Sequence, residues 1–205
     1  MRHLQPDLLD YLQEKKKCGQ ASWFFQTDRI EPFAYAEIFT PAQCKTIIQI
    51  GKNAILDTAT VFNGDSLCRK SRTSWLSPAD GNEWIFQKLT DTAMFLNDRF
   101  FKFDLLGFAE GIQFTEYESP GGKYDPHVDS MYNGKIRKLS ISVQLSDENE
   151  YEGGDVICNY GNEVVMPRTQ GTALAFPSYA LHGVKPVTKG TRYSLVAWIT
   201  GPQFK

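Results

Sequence analysis

Histidine is scarce in this chain: of its 205 residues only His3, His127 and His182 carry an imidazole. Cysteine is scarce as well, and Cys18, Cys44, Cys68 and Cys158 form neither a C-x-x-C pair nor a zinc spacing. A chain of this length buries enough core to do without disulfide staples, so reduced thiols are expected. Excess charge is missing too. A formal net charge of −2 supplies no broad basic field for nucleic acid and leaves room only for a local patch. No apolar run reaches the roughly 18 residues of a membrane-crossing helix, and Met1-Arg2-His3-Leu4-Gln5-Pro6 lacks the apolar stretch of a secretory leader. The expectation is a cytoplasmic protein without a membrane partner. Internal repeats and low-complexity linkers are also absent. We therefore read residues 1–205 as one domain, with a helix-containing part over 1–103 and a strand-rich part over 104–205.

What is present is an aromatic-rich chain, with 14 Phe and 9 Tyr, more rings than a core needs, which leaves some to line a pocket. Residues 6–17 predict a short helix with a basic C-terminal end. Phe33 to Phe39 alternates as a strand. Thr40-Pro41-Ala42-Gln43 predicts a capping-box helix start, with Cys44, Ile47 and Ile48 as its apolar stripe and Gly51 as its stop. Turn chemistry around Asn63-Gly64 predicts a hairpin or mobile loop over 57–71. Ser77-Pro78 predicts the opening of a second helix, whose inner face is Ile85, Leu89, Ala93, Leu96 and Phe100. Beyond Asp104 the pattern turns to period 2. Strands are expected at 111–117, 137–145, 154–159, 163–166, 172–176, 181–187 and 191–199. The fold class that follows is α+β, mainly β: a double-stranded β-helix (jelly roll) core with N-terminal supporting helices.

The chemistry concentrates in Y-E-S-P-G-G-K-Y-D-P-H-V-D, residues 117–129. If His127 and Asp129 end a strand, their side chains share one face and Val128 points away. An imidazole beside a carboxylate supplies two ligands of a 2-His-1-carboxylate triad, the set that suits non-haem Fe(II). His182, in P-S-Y-A-L-H-G-V, is the candidate for the third. Ten residues on, Arg192 opens a strand on which Arg192, Ser194, Val196 and Trp198 share a face. An arginine on a pocket-facing side is costly without an anion, and its planar fork suits a carboxylate. Gln113, Thr115 and Tyr117 form a second polar row, and Ser140, Ser142 and Gln144 a third. Each row faces either solvent or a pocket.

His127-x-Asp129, then His182, then Arg192, in a strand-rich frame, resembles the Fe(II)/2-oxoglutarate-dependent dioxygenases. The likeness is strongest to their prolyl 4-hydroxylase-like branch, the PKHD-type hydroxylases. L-S-D-E-N-E-Y-E-G-G-D-V (145–156) and V-T-K-G-T-R (187–192) resemble segments of that branch. The resemblance covers roughly 105–200 and implies Fe(II) on His127, Asp129 and His182. It implies that Arg192 meets the distal carboxylate of 2-oxoglutarate, with Tyr117, Ser194 and Trp198 around the cosubstrate. O2 would be the oxidant and ascorbate a reductant. Hydroxylation of a prolyl residue in a peptide or protein, with release of succinate and CO2, is the implied reaction. Asp129 is present where halogenating relatives lack the carboxylate, which favours hydroxylation. Two departures stand out: collagen-type relatives carry Lys where this chain has Arg192, and Gln144 stands where some relatives place a second tyrosine.

Blander readings compete. A lone histidine in a β-rich domain is usually structural, and His3 reads as a solvated terminal residue. Tyr117 and Trp198 can be core rings, and Ser194 can satisfy its own backbone. Gly121-Gly122 precedes no helix, so it is read as a flexible segment at the edge of a lid and not as a phosphate loop. Asp147 to Glu152 reads as a solvated hairpin shoulder. Arg69, Lys70 and Arg72 read first as a solvated run, and second as part of a loop that closes over the site and touches substrate. The same chemistry on a free amino acid, another side chain or a nucleobase is the alternative function. A non-catalytic jelly-roll binding module is the alternative class, and it gives Arg192 no reason to face the pocket.

Overall fold

The computed structural model describes residues 32–54, 57–58, 68–79, 81–129 and 131–203. The helix expected at 6–17 and most of the 59–72 loop lie outside them. In chain order come β1 (Ala34–Glu37), α1 (Pro41–Asn53), β2 (Asp57–Thr58), β3 (Arg69–Lys70) and β4 (Arg72–Leu76). Helix α2 (Glu83–Leu96) runs into a π-helical turn (Asn97–Phe101), followed by β5 (Gly107–Phe108), β6 (Ile112–Glu118), β7 (Lys123–His127) and β8 (Met131–Tyr132). Then follow β9 (Lys135–Gln144), β10 (Tyr151–Gly153), β11 (Val156–Asn159), β12 (Glu163–Val165), β13 (Thr172–Pro177), β14 (Leu181–Val184) and β15 (Val187–Gly201).

The strands form two antiparallel sheets. The larger runs β1-β13-β9-β15-β6-β4-β2, and the smaller runs β12-β11-β14-β7-β3. This is the expected jelly roll. The alternation that predicted the strands also sorts the two faces of the larger sheet. Ile112, Phe114, Leu139, Ile141, Val143, Leu195, Ala197 and Ile199 face the helices and join Ile47, Ile85, Leu89, Ala93 and Leu96 in the main core. Each fully buried Ile, Leu, Val or Phe side chain among them contributes roughly 1.5–3 kcal/mol. The opposite face carries the three polar rows, and Thr115, Ser140, Gln144 and Ser194 are all buried there. The rows line the interior instead of facing water. A second cluster, Val156, Cys158, Met166, Leu174, Phe176 and Ala180, closes one side of that interior.

Several expectations shift. Helix α1 has its capping box, with Thr40 and Gln43 exchanging side-chain and backbone hydrogen bonds. Gly51, however, is not its stop. The helix continues to Asn53, and a Cβ on Gly51 would lie 2.3 Å from the Phe114 ring, so the glycine admits the core beneath it. Ser77-Pro78 does not open α2: the helix starts after Asn82, whose side chain donates back to Ser77 O. Phe100 leaves the buried stripe because the π-helical turn breaks the period just before it. The expected strand 181–187 is two strands parted at Lys185-Pro186, and β15 begins at Val187. Gly121-Gly122 is a pinned turn, not a lid edge. Gly121 N donates to Val187 O, Gly122 N to Glu118 O, and Val187 N to Gly122 O.

Candidate metal centre

His127 ends β7 and His182 is the second residue of β14; the two stand opposite each other in the antiparallel register of these strands. Their ring centroids are 4.3 Å apart. The close approach depends on Gly183, where a Cβ would lie 2.9 Å from Tyr124 O and 3.2 Å from Pro126 N on the facing strand. Asp129 lies just past the end of β7 instead of within it, yet its side chain still turns to the His127 side. Its backbone N–H donates to Ser178 O at 2.8 Å, which anchors the chain after the strand ends. Val128 is exposed, as alternation predicts.

Each imidazole has Nδ1 at 2.9 Å from a backbone carbonyl, Asp125 O for His127 and Ala180 O for His182. A carbonyl only accepts, so Nδ1 carries a hydrogen and Nε2 turns inward. His182 Nε2 is 3.3 Å from Asp129 Oδ2, and His127 Nε2 is 3.7 Å from Asp129 Oδ1. One donor atom from each residue falls within 4.8 Å of the others. Two inward nitrogens and a carboxylate, each nitrogen oriented through its far side, fit a divalent transition metal.

The electrostatics suit the same role. Asp129 is buried, which alone would raise its pKa. The hydrogen bond from His182, the charges of both imidazoles and the nearby Trp198 indole outweigh burial and hold it well below the usual range. Trp198 Nε1 approaches too loosely to count as a hydrogen bond. Burial, then the charge of His182, pushes His127 down to about 4 against the pull of Asp129. Burial would lower His182 too, but its hydrogen bond to Asp129 and that carboxylate's charge raise it. Ser140 Oγ donates to Asp129 Oδ2 at 2.8 Å and meets Ser178 Oγ at 2.9 Å.

Arg192 is only 1% exposed. Its Nε and Nη2 donate to Gln144 Oε1 at 3.1 and 2.7 Å, and Nη1 reaches Ser194 Oγ at 3.5 Å. Its guanidinium carbon lies 5.5 Å from the centre of the Tyr117 ring, the residue opposite it across β15 and β6. Among the described residues no carboxylate pairs with it. The polar group is thus Arg192, Tyr117, Ser194 and Gln144. Trp198 lies six residues along the same face, 7% exposed.

Reasoning from the sequence missed the surroundings of Trp198. Arg137 lies over its ring at 3.9 Å, binds Glu110 through two hydrogen bonds of 2.7 and 2.8 Å, and comes within 3.9 Å of Asp129 Oδ1. It also missed Tyr124, whose ring stacks on His127 at 3.6 Å. Period 2 from His127 places Asp125, not Tyr124, on the metal side, so no alternation rule pointed to it. The solvated reading of the basic run holds for Lys70 and Arg72, which are exposed, and fails for Arg69. Arg69 is buried, Arg72 pairs with Glu116 at 2.7 Å, and Lys70 donates to Pro120 O at 2.6 Å.

Residues 112–200 match the family model of the 2OG-Fe(II) oxygenase superfamily. A PKHD-type hydroxylase of Picosynechococcus sp. is 40% identical over 90 residues, covering 43% of this chain and 41% of that protein. The match therefore spans about two fifths of that relative's length. The fold is that of a Pseudomonas putida prolyl-4-hydroxylase, with a TM-score of 0.67 at 17% identity over 96% of this chain and all of that one. A prolyl hydroxylase of Trichoplax adhaerens, solved with a peptide fragment of the hypoxia inducible factor oxygen degradation domain, gives a TM-score of 0.68. Its identity is 16%, over 82% of this chain and 83% of that one.

Proposed function

The chain belongs to the 2OG-Fe(II) oxygenase superfamily, and from that premise we propose that it hydroxylates a prolyl residue in a peptide or protein. The reaction would consume 2-oxoglutarate and O2 and release succinate and CO2. Fe(II) held by His127, Asp129 and His182 would supply the redox chemistry, with the cosubstrate bound beside it and ascorbate keeping the metal reduced. The carrying observation is the pairing of that triad with Arg192, a buried guanidinium whose described partners are neutral and sit on the same interior face.

The protein's own part is positional. Gln144 and Ser194 hold the Arg192 fork in place, so an incoming carboxylate meets donors that are already ordered. Tyr117 is buried beside that fork and Trp198 beside Asp129, and the two rings would keep water from the cosubstrate. The peptide substrate rests on the likeness to the Trichoplax enzyme, whose structure holds a peptide.

The test starts without substrate. Under anaerobic conditions, Fe(II) and 2-oxoglutarate are titrated into the protein and the visible metal-to-ligand charge-transfer band is recorded. We expect a band in the wild type, its loss in His182→Ala, and a weakened cosubstrate affinity in Arg192→Ala. Folded protein without a band would refute the oxygenase reading. With the band in hand, succinate release on proline-containing peptides, and not on free proline, supports the peptide assignment; the reverse overturns it.

A further inference from the structure

Arg69 is the second arginine of the interior that is at least nine-tenths buried, at 9% exposed, beside Arg192 at 1%. It belongs to β3 at the edge of the smaller sheet and reaches across to the larger one. Nε donates to Ser71 Oγ at 2.8 Å, and Nη2 to Gln113 Oε1 at 2.9 Å. Both partners are neutral, and no carboxylate pairs with Arg69 among the described residues. The other arginines near the site differ: Arg72 has Glu116 and Arg137 has Glu110. A guanidinium carries five N–H groups, of which these bonds use two. A buried cation that lacks a counter-charge is unfavourable unless an anion arrives.

Its place says which anion is met there. The Arg69 guanidinium lies 4.5 Å from the Tyr124 ring centre, and the same ring stacks on His127 at 3.6 Å. Arg69 is therefore one aromatic ring from a metal ligand. Gln113 supplies further donors. Its Oε1 already accepts from Arg69 and, at 3.3 Å, from Thr115 Oγ1, which leaves its amide N–H groups as donors. Arg192 and Arg69 lie in different sheets, on β15 and β3. One can meet the cosubstrate's carboxylate while the other meets a second anion.

We propose that Arg69, with Gln113, reads a carboxylate on the substrate, so that this enzyme acts on an acid-bearing prolyl compound. The inference rests on the oxygenase reading of the same site and adds the substrate's charge to it. Three sources of the carboxylate are distinguishable: the α-carboxylate of a free amino acid, the C-terminus of a peptide ending in proline, and an acidic side chain beside an internal proline.

The experiment uses the full chain loaded anaerobically with Fe(II) and 2-oxoglutarate, and the charge-transfer band is recorded before each titration. Calorimetry then compares three matched acid and amide pairs. These are L-proline with L-prolinamide, a peptide ending in proline as acid and as amide, and an end-blocked pentapeptide with Glu or Gln next to a central proline. At least one acid should bind about tenfold or more tighter than its amide, the worth of a hydrogen-bonded charge pair. That preference should collapse in Arg69→Gln. It should also collapse in the isosteric Gln113→Glu, which gives Arg69 an internal counter-charge and keeps the packing if Arg69→Gln fails to fold. A band with no acid favoured over its amide, or a preference that survives both variants, overturns the proposal and leaves the oxygenase reading standing. A missing band removes both.

Discussion

His182 Nε2 and Asp129 Oδ2 lie 3.3 Å apart, and this contact sets how the two imidazoles share protons. It raises the affinity of His182 for a proton, while His127, buried and beside the His182 charge, is pushed down to about 4. Of the pair, His182 is the one that keeps its proton to higher pH.

Metal binding should therefore release a proton, because a ligand nitrogen must offer its lone pair. His127 is neutral above about pH 4 and releases none. His182, with its folded pKa above 6.5, is more than half protonated at pH 6.5. Proton release should approach one per Fe(II) near pH 6 and fall as pH rises through the folded pKa of His182. Calorimetry in buffers of different ionisation heat measures it. Release near zero at pH 6 would contradict the assigned roles. The same shifts act oppositely on folding. The stability from His182 is present below 6.5 and lost as pH rises through its folded value. The His127 shift costs stability as pH falls from 6.5 toward 4, where the unfolded chain takes up the proton first.

Ser140→Ala should loosen the metal without unfolding the protein. Ser140 donates to Asp129 Oδ2 and meets Ser178, so its hydroxyl aims the carboxylate. Loss of such an outer partner costs metal affinity on the order of tenfold to a hundredfold. Fe(II) titration of the charge-transfer band reads this directly, and an unchanged affinity would show that the Asp129 backbone bond to Ser178 suffices to orient it.

Period 2 made legible the shared side of His127 and Asp129 and the existence of the polar faces of β6, β9 and β15, though not that these faces line the interior. His182 was legible because the chain has only three histidines and the third is near its start. Arg137 was not. Counting by two back from Ser140 puts Lys138 on the interior face. The register of β9 against β15 slips between Ile199 and Thr200, pairing Leu139 with Ile199 and Arg137 with Thr200. One residue is passed over, and Arg137 turns to the side of Trp198. A bulge leaves no signature in K-I-R-K-L-S. Arg69 was hidden differently: its burial comes from a bond to Gln113, 44 residues away in sequence, which a basic run in a Gly- and Asn-containing loop does not announce.

Gly183→Ala should act on the same centre through the backbone. The added methyl would press on Tyr124 O and Pro126 N, on the strand that carries His127. Forcing β14 and β7 apart is an overpacking change, with a cost of about 1–3 kcal/mol. Thermal unfolding should show a lower Tm, and the Fe(II) titration a weaker affinity, because the two imidazoles separate. A lower Tm with an unchanged affinity would mean that the strain relaxes away from the metal ligands.

Glu110 and Arg137 permit a sharper test, since their effects should cancel. Arg137 is held by two hydrogen bonds to Glu110 and lies within 3.9 Å of Asp129 Oδ1. Both side chains are largely buried, at 13% and 3% exposed. Glu110→Gln removes the charge that restrains Arg137 and leaves a buried cation, with a cost of roughly 3–5 kcal/mol for a broken interior pair. The nearest remaining carboxylate of the triad is Asp129, so the guanidinium should move onto it and compete with the metal. Fe(II) affinity should then fall by about tenfold, as when an outer-shell partner is disturbed. In Glu110→Gln with Arg137→Gln no competing cation remains, and affinity should return most of the way to wild type even though a second residue has been changed. Equal losses in the single and double variants would mean that Glu110 acts by shaping the wall under Trp198 and not by restraining Arg137.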